Sequence, residues 1–383
     1  MALSKIDVAN MLTGEVPNAN VAKLPASKLE DDINFRNIII NGSMDLAQRG
    51  TSASSVTSAS YNTVDRWQNY ISSLGTWTVS QDTTVPTGQG FAKSLKYDCT
   101  TADASPSASD VNILIQKFEG QNLQYLKKGT SSAESLTLSF WVRSNKTGTY
   151  TCEIYDGDNT RYIGKTYSIS SADTWEKKTI TFDGDTTGTL DNDNASSLNV
   201  HFWLGAGSDF TGGTFNNGTW GAGGNNTRVS SSQVNLADST SNEWYITGVQ
   251  LEAGQTSSDF EFLPVDVNLA RCQRYYNLLV SGAGSPICIG SMYSSSALHG
   301  VIDLPTSMRV RPSIDQVTGT GYYTVYRGGG SDSFNSLVIN FSGTGTENII
   351  NFVNETDISG TAGQAGLIVT ANSASYFAVD AEL

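Results

Sequence analysis

Segment 135–144 reads Ser-Leu-Thr-Leu-Ser-Phe-Trp-Val-Arg-Ser and places Leu136, Leu138, Phe140 and Val142 on alternate positions. A period of two is the mark of a strand with one face buried, and no helix tolerates it. Segment 175–182 alternates in the same way and runs into Asp183-Gly184, a pair suited to a tight turn. Further β runs are 150–155, 199–204 and 244–251, divided by stretches of Gly, Asn, Ser and Thr. Many short strands with such turns predict an all-β chain built as an antiparallel sandwich. All 7 tryptophans fall between Trp67 and Trp244, which marks 37–264 as one large β-domain. Inside it, Ile38–Gly42 reads as a strand running into a turn, and 121–126 is the one helical candidate.

The flanking regions differ. Residues 1–36 carry Val16, Val21, Leu24 and Leu29, spaced too sparsely for a private core and interrupted by Pro17 and Pro25. They are expected to form an extended N-terminal arm that buries these four side chains against other copies of the chain or a partner surface. A short linking helix is predicted within 265–278, capped by Asp266 and running from Val267 to Asn277. Residues 279–383 lack Trp and Lys but return to β runs, and predict a second, smaller C-terminal β-domain.

Composition narrows the function. The net charge is −14, from 23 basic and 37 acidic residues, and the last lysine is Lys178. A nucleic-acid partner needs a basic stripe to displace counterions, and none is present. No run of apolar residues is long enough to span a bilayer, so no membrane insertion is expected. The start of the chain lacks the basic and apolar segments of a secretion signal, and Cys99, Cys152, Cys272 and Cys288 lie far apart. These features predict reduced thiols in a protein assembled in a cytoplasm.

Certain segments are similar to those of bacteriophage virion proteins of the tail-fibre type. They are Ile39-Ile40-Asn41-Gly42-Ser43-Met44-Asp45, Asp65-Arg66-Trp67, Gln250-Leu251-Glu252-Ala253-Gly254, and Ala270-Arg271-Cys272-Gln273-Arg274-Tyr275-Tyr276. The stretch from Leu304-Pro305 to Arg311-Pro312 and the arm's Val16-Pro17-Asn18-Ala19 resemble further parts of such proteins. The central domain looks like the jelly-roll sandwich of carbohydrate-binding modules. The resemblance implies a virion component, assembled in the host cytoplasm, that forms homotrimers, docks on other virion proteins through its arm and holds host surface glycans. It leaves open a capsid-bound fibre or decoration protein, and a polysaccharide-degrading spike.

Chemistry is sparse. The two histidines are His201, inside a strand and read as structural, and His299, read as part of a turn before Gly300. No hydrolase, zinc or phosphate-loop motif surrounds them, so no catalytic residue and no cofactor are expected. Asp156-Gly157-Asp158-Asn159 and Asp191-Asn192-Asp193-Asn194 offer oxygen ligands for a structural calcium ion, without the spacing of a calcium loop. Gly328-Gly329-Gly330 reads as a turn. Binding is better provided for. The segment 205–226 sets Phe210, Phe215 and Trp220 among Gly, Asn and Thr, while Tyr155 and Tyr162 flank the turn after Asp156. A sugar pairs an apolar ring face with hydroxyls, which aromatic plates beside amides suit. Tyr155, Tyr162, Phe215 and Trp220 are therefore the glycan-binding candidates, unless these rings fold back onto the sandwich.

Overall fold

The computed structural model describes residues 35–340 and 346–383, so the arm residues Val16, Val21, Leu24 and Leu29 lie outside the described residues. Asn37–Leu383 forms one compact unit. It is all-β, and its larger part is a jelly-roll sandwich of two six-stranded antiparallel sheets. The first sheet orders its strands Ser52–Val56, Thr76–Asp82, Ser94–Thr101, Glu243–Ala253, Leu136–Ser144 and Glu176–Phe182. The second orders Gly221–Ala222, Arg161–Ile169, Gly148–Asp156, Ser196–Ala206, Val111–Glu119 and Gln68–Ser72.

The alternating positions do what their period dictates. Leu138, Phe140 and Val142 meet Cys152, Ile154, Val200 and Phe202 of the opposite sheet in one core. The ring of Phe140 stands edge-on to that of Phe202 at 5.1 Å. The helical candidate becomes two 3-10 turns, Gly120–Asn122 and Gln124–Leu126.

The predicted strand at Ile38–Gly42 is instead an extended lead-in held by side chains. Asn37 Oδ1 accepts from the backbone of both Ile39 and Leu251, and Ile38 N–H donates to the Leu251 carbonyl. A positive φ at Asn41 then turns the chain away. Gly42 fits because a Cβ there would sit 2.0 Å from the Val249 carbonyl oxygen.

The linking helix is Val265–Gln273, shifted toward the N-terminus from its predicted span. Pro264, not Asp266, occupies its N-cap, and Asp266 lies in the first turn, where its charge faces the positive end of the helix dipole. Asn277 belongs to the next strand, Tyr276–Ser281. That strand joins Tyr376–Asp380 and Ser313–Gln316 in a three-stranded sheet. A seven-stranded sheet packs against it, ordered Gly330–Phe334, Tyr323–Arg327, Ala365–Thr370, Pro286–Ser294, Ala297–Asp303, Ile349–Asn354 and Val338–Ile339. Their shared core holds Phe352, Phe377, Val379 and Ile368. His299 lies within a strand of this sheet rather than in a turn, since Gly300 pairs with Gly290 and continues the ladder. Gly328 and Gly329 both adopt positive φ, and the turn read at this run closes a hairpin in which Arg327 pairs with Gly330. No helix among the described residues is long and apolar enough to cross a membrane.

Three of the segments that resemble virion proteins, 39–45, 65–67 and 270–276, meet at the seam between the two β portions. Trp67 donates its indole N–H to the Asn41 carbonyl, and Asn41 N–H donates to Asn268 Oδ1. Arg274 grips the buried Glu119 through two hydrogen bonds of 2.7 Å, and the Tyr275 hydroxyl donates to the same carboxylate. Arg66 lies fully buried over the Tyr275 ring at 3.5 Å and pairs with Glu382. These motif residues are the joinery of the fold.

Candidate functional site

The outer face of the second sheet is where exposed chemistry collects. Register sets Tyr70, Ile113, Trp203 and Thr151 in one row across four strands, with Gln68, Ile115, His201 and Glu153 in the next. An outer face this apolar has to be covered, and the loop after Ala206 covers part of it. Phe210 lies on Trp203 with ring centroids 5.4 Å apart. Phe215 packs on Gly164, which offers no side chain to keep it away. Between this loop and the edge strand Gln68–Ser72 an open groove of about 380 Å³ remains.

Aromatic groups line it. Tyr155 stacks on the imidazole of His201 at 5.7 Å with the planes 15° apart. The guanidinium of Arg228 reaches over the rings of Tyr155 and Trp203, at 4.8 and 5.2 Å. Tyr70 is 42% exposed at the opposite wall. Amides and hydroxyls from Gln68, Ser72, Ser109, Asn199 and Asn225 complete the lining with Lys117. None of the lining residues is Asp or Glu.

Beneath the groove lies a dry ionic cluster. Glu153 is wholly buried and accepts two hydrogen bonds from Arg228, at 2.8 and 2.7 Å, and a longer one from the Trp203 indole. Burial alone would raise its pKa, but Arg228 and His201 outweigh that and hold it at about 2. The carboxylate can only accept, so His201 Nδ1, 2.7 Å away, carries the proton between them. Burial also pushes the His201 pKa below its ordinary value, against the pull of Glu153, leaving a neutral ring at pH 7. His201 is thus structural, as its strand position predicts, but it also forms the floor of the groove.

The structure separates the four sequence candidates. Tyr155 belongs to the groove. Tyr162 is only 1% exposed and donates its hydroxyl to the Gly224 carbonyl, tying down the loop, so it leaves no ring face for a sugar. Phe215 is spent on Gly164. Trp220 turns to the other side of the loop, donates to the Asp183 carbonyl at 2.6 Å and packs against the main core under Lys128. Three of the four rings therefore fold back and hold the loop in place. Sequence reasoning missed Tyr70, Trp203, Asn199, Asn225 and Arg228.

The aspartate turns are likewise occupied. Asp156 pairs with Lys128 and accepts from Asn159, Asp158 accepts from the backbone of Asp191, and Asp193 from that of Ala195. Among the described residues no group of three or more His, Cys, Asp or Glu is placed to hold a metal ion. A larger hollow of about 610 Å³ opens at the seam between the β portions. Its polar groups serve each other: Asp315 accepts from the hydroxyls of Tyr276 and Tyr376, and Arg49 pairs with Asp380 and Glu382.

No family model matches the chain, and no curated protein matches it in sequence. Similar solved structures include the enzymatically active domain of bacteriophage CBA120 tailspike protein 4, at 14% identity and a TM-score of 0.30, covering 57% of this chain. That match spans 21% of the tailspike chain. A family 11 carbohydrate-binding module from Clostridium thermocellum, in complex with a β-1,3-1,4-mixed-linked tetrasaccharide, matches at 12% identity and a TM-score of 0.27. It covers 54% of this chain and 97% of its own. TmCBM61 in complex with β-1,4-galactotriose matches at 12% identity and a TM-score of 0.28, covering 57% and 99%.

Proposed function

We propose that this protein binds a glycan in the groove on the outer face of the second sheet. The observation that carries this reading is the Tyr155–His201 stack facing Tyr70 across a cleft rimmed by amides and hydroxyls. Aromatic faces take the apolar side of a sugar ring, and the amides of Gln68, Asn199 and Asn225 match its hydroxyls. Hydrolysis of a glycosidic bond usually employs a pair of carboxylates at the bond, and the lining supplies none, which favours binding over cleavage in this groove.

A glycan array followed by titration calorimetry tests the assignment. Tyr70→Ala and Tyr155→Ala are each expected to weaken the best ligand roughly tenfold, since an aromatic contact is worth about 1 kcal/mol or more. Trp220→Ala, which removes an anchor of the loop but no lining residue, is expected to lose less affinity than either tyrosine variant. Unchanged binding in both tyrosine variants would place the ligand elsewhere, as would loss confined to the Trp220 variant.

The sequence resemblance carried by 39–45, 65–67, 250–254 and 270–276 supports placing this binding body in a phage fibre, with 1–36 as its attachment arm. Particles assembled with a chain lacking 1–36 are expected to omit the protein, while the purified truncation still binds glycan. Normal incorporation of the truncation defeats the arm's role.

A further inference from the structure

The seven-stranded sheet has a second face that nothing among the described residues covers. Its inner positions, such as Met292, Leu298, Phe352 and Ile368, fill the core shared with the three-stranded sheet. The alternate positions point outward. Register places Tyr326 beside Leu367, Leu367 beside Ile289, and, by way of the Gly290–Gly300 pair, Ile289 beside Val301. This apolar row crosses four adjacent strands. Ile289 is 66% exposed and Tyr293, stacked on His299, is 75% exposed, while Ile349 extends the patch onto a fifth strand.

Three facts decide what can cover such a face. The first is extent: Ile289, Tyr293, Val301, Tyr326, Ile349 and Leu367 together expose on the order of 700 Å², more than the largest patch of an ordinary monomer. That approaches the ~800 Å² each partner contributes to a stable interface. The second is charge. Among the outward positions of the five strands from Tyr323–Arg327 to Ile349–Asn354 in sheet order, Asp303 at the margin and His299 beneath Tyr293 are the two ionisable side chains apart from tyrosine, and neither Lys nor Arg is present. A nucleic acid, an anionic membrane or an acidic peptide would find no lysine or arginine to pair with there. The third is complementarity. Copies of a chain with net charge −14 repel each other wherever their charged surfaces meet, and this wide uncharged face escapes that repulsion. Apolar sheet faces stack on one another at about 10 Å, the spacing of a sandwich.

We propose that the outer face of the seven-stranded sheet is the surface through which this chain associates with a second copy of itself. The inference is independent of the glycan groove, which belongs to the other β portion.

Analytical ultracentrifugation of the full chain over a wide concentration range tests it, with Ile289→Lys and Leu367→Asp as disrupting variants. The wild type is expected to sediment with a mass above one chain. Each variant is expected to associate at least tenfold more weakly. Because both side chains are exposed, melting points should stay near wild type. If either variant proves unstable, Val301→Asn on the neighbouring strand makes the same test with a smaller change. Tyr70→Ala serves as the control, since it alters the groove and should leave the mass unchanged. A wild-type chain that stays monomeric throughout overturns the proposal, as does an oligomer that survives all the face variants.

Discussion

Glu382→Ala is expected to lower stability by about 3–5 kcal/mol, a fall in melting point of about 5 °C. Arg66 is wholly buried; besides Glu382 it has the face of Tyr275 and the Lys117 carbonyl, 2.8 Å from its guanidinium. Taking away the carboxylate leaves a cation in a dry seam with only a ring face and one carbonyl oxygen. Arg49, which also pairs with Glu382, keeps Asp380 and would suffer less. The sharper form of the test is the double variant Arg66→Met with Glu382→Leu. Removing both charges should recover much of the loss, because the penalty comes from the unpaired ion rather than from the missing attraction. Differential scanning calorimetry reads both, and a Glu382→Ala protein that melts with the wild type would refute the account of the seam.

The Glu153 cluster makes the second large prediction, this time in pH. Its carboxyl titrates near 2 in the folded chain against an ordinary value of 4.5. A depressed folded pKa gives stability that is complete above the unfolded value and is lost as pH falls toward the folded one. Between about pH 4.5 and 2 the cluster should therefore forfeit roughly 3 kcal/mol. His201 acts in the same direction at higher pH. Its pKa is lowered from 6.5, so the unfolded chain takes up its proton first and stability begins to decline as pH drops below 6.5. The groups facing these two are Arg228, the Trp203 indole, the Tyr155 ring stacked on His201 and, at longer range, Lys117. Glu153→Gln should flatten the acid limb and lower stability at pH 7, where Arg228 loses its charged partner. An acid limb of unchanged slope in that variant would dismiss Glu153 as its source.

The sandwich was legible wherever apolar and polar side chains alternate along a strand, as in 135–144 and 175–182, because a period of two then appears in the sequence. The strands Val111–Glu119 and Ser196–Ala206 are apolar on both faces, and that doubled burial is itself the trace of a covered groove. It shows only when register is known, since Ile113, Trp203 and Tyr70 are far apart in the chain and adjacent in the sheet. Tyr155 could be found from its place beside a turn. The opposite fates of Tyr155 and Tyr162 could not, although they face each other across one strand pair. What separates them is the position of Gly224 and Thr227, which close over one ring and stop short of the other. Trp220 and Phe215 had the right neighbours for sugar contact, but a carbonyl at Asp183 and a bare Gly164 claimed them. The virion-like motifs were equally visible as sequence, and they report how the β portions are joined.

That joint has a kinetic consequence. Arg66 and Glu382 are separated by 316 residues, so their pairing closes a very long loop and belongs among the late events of folding. Until then the sandwich must carry its arginine hydrated, as a half-built species with an open flank. A contact absent from the rate-limiting barrier acts on the reverse reaction. Weakening it should leave refolding nearly as fast as before and shorten the lifetime of the finished molecule.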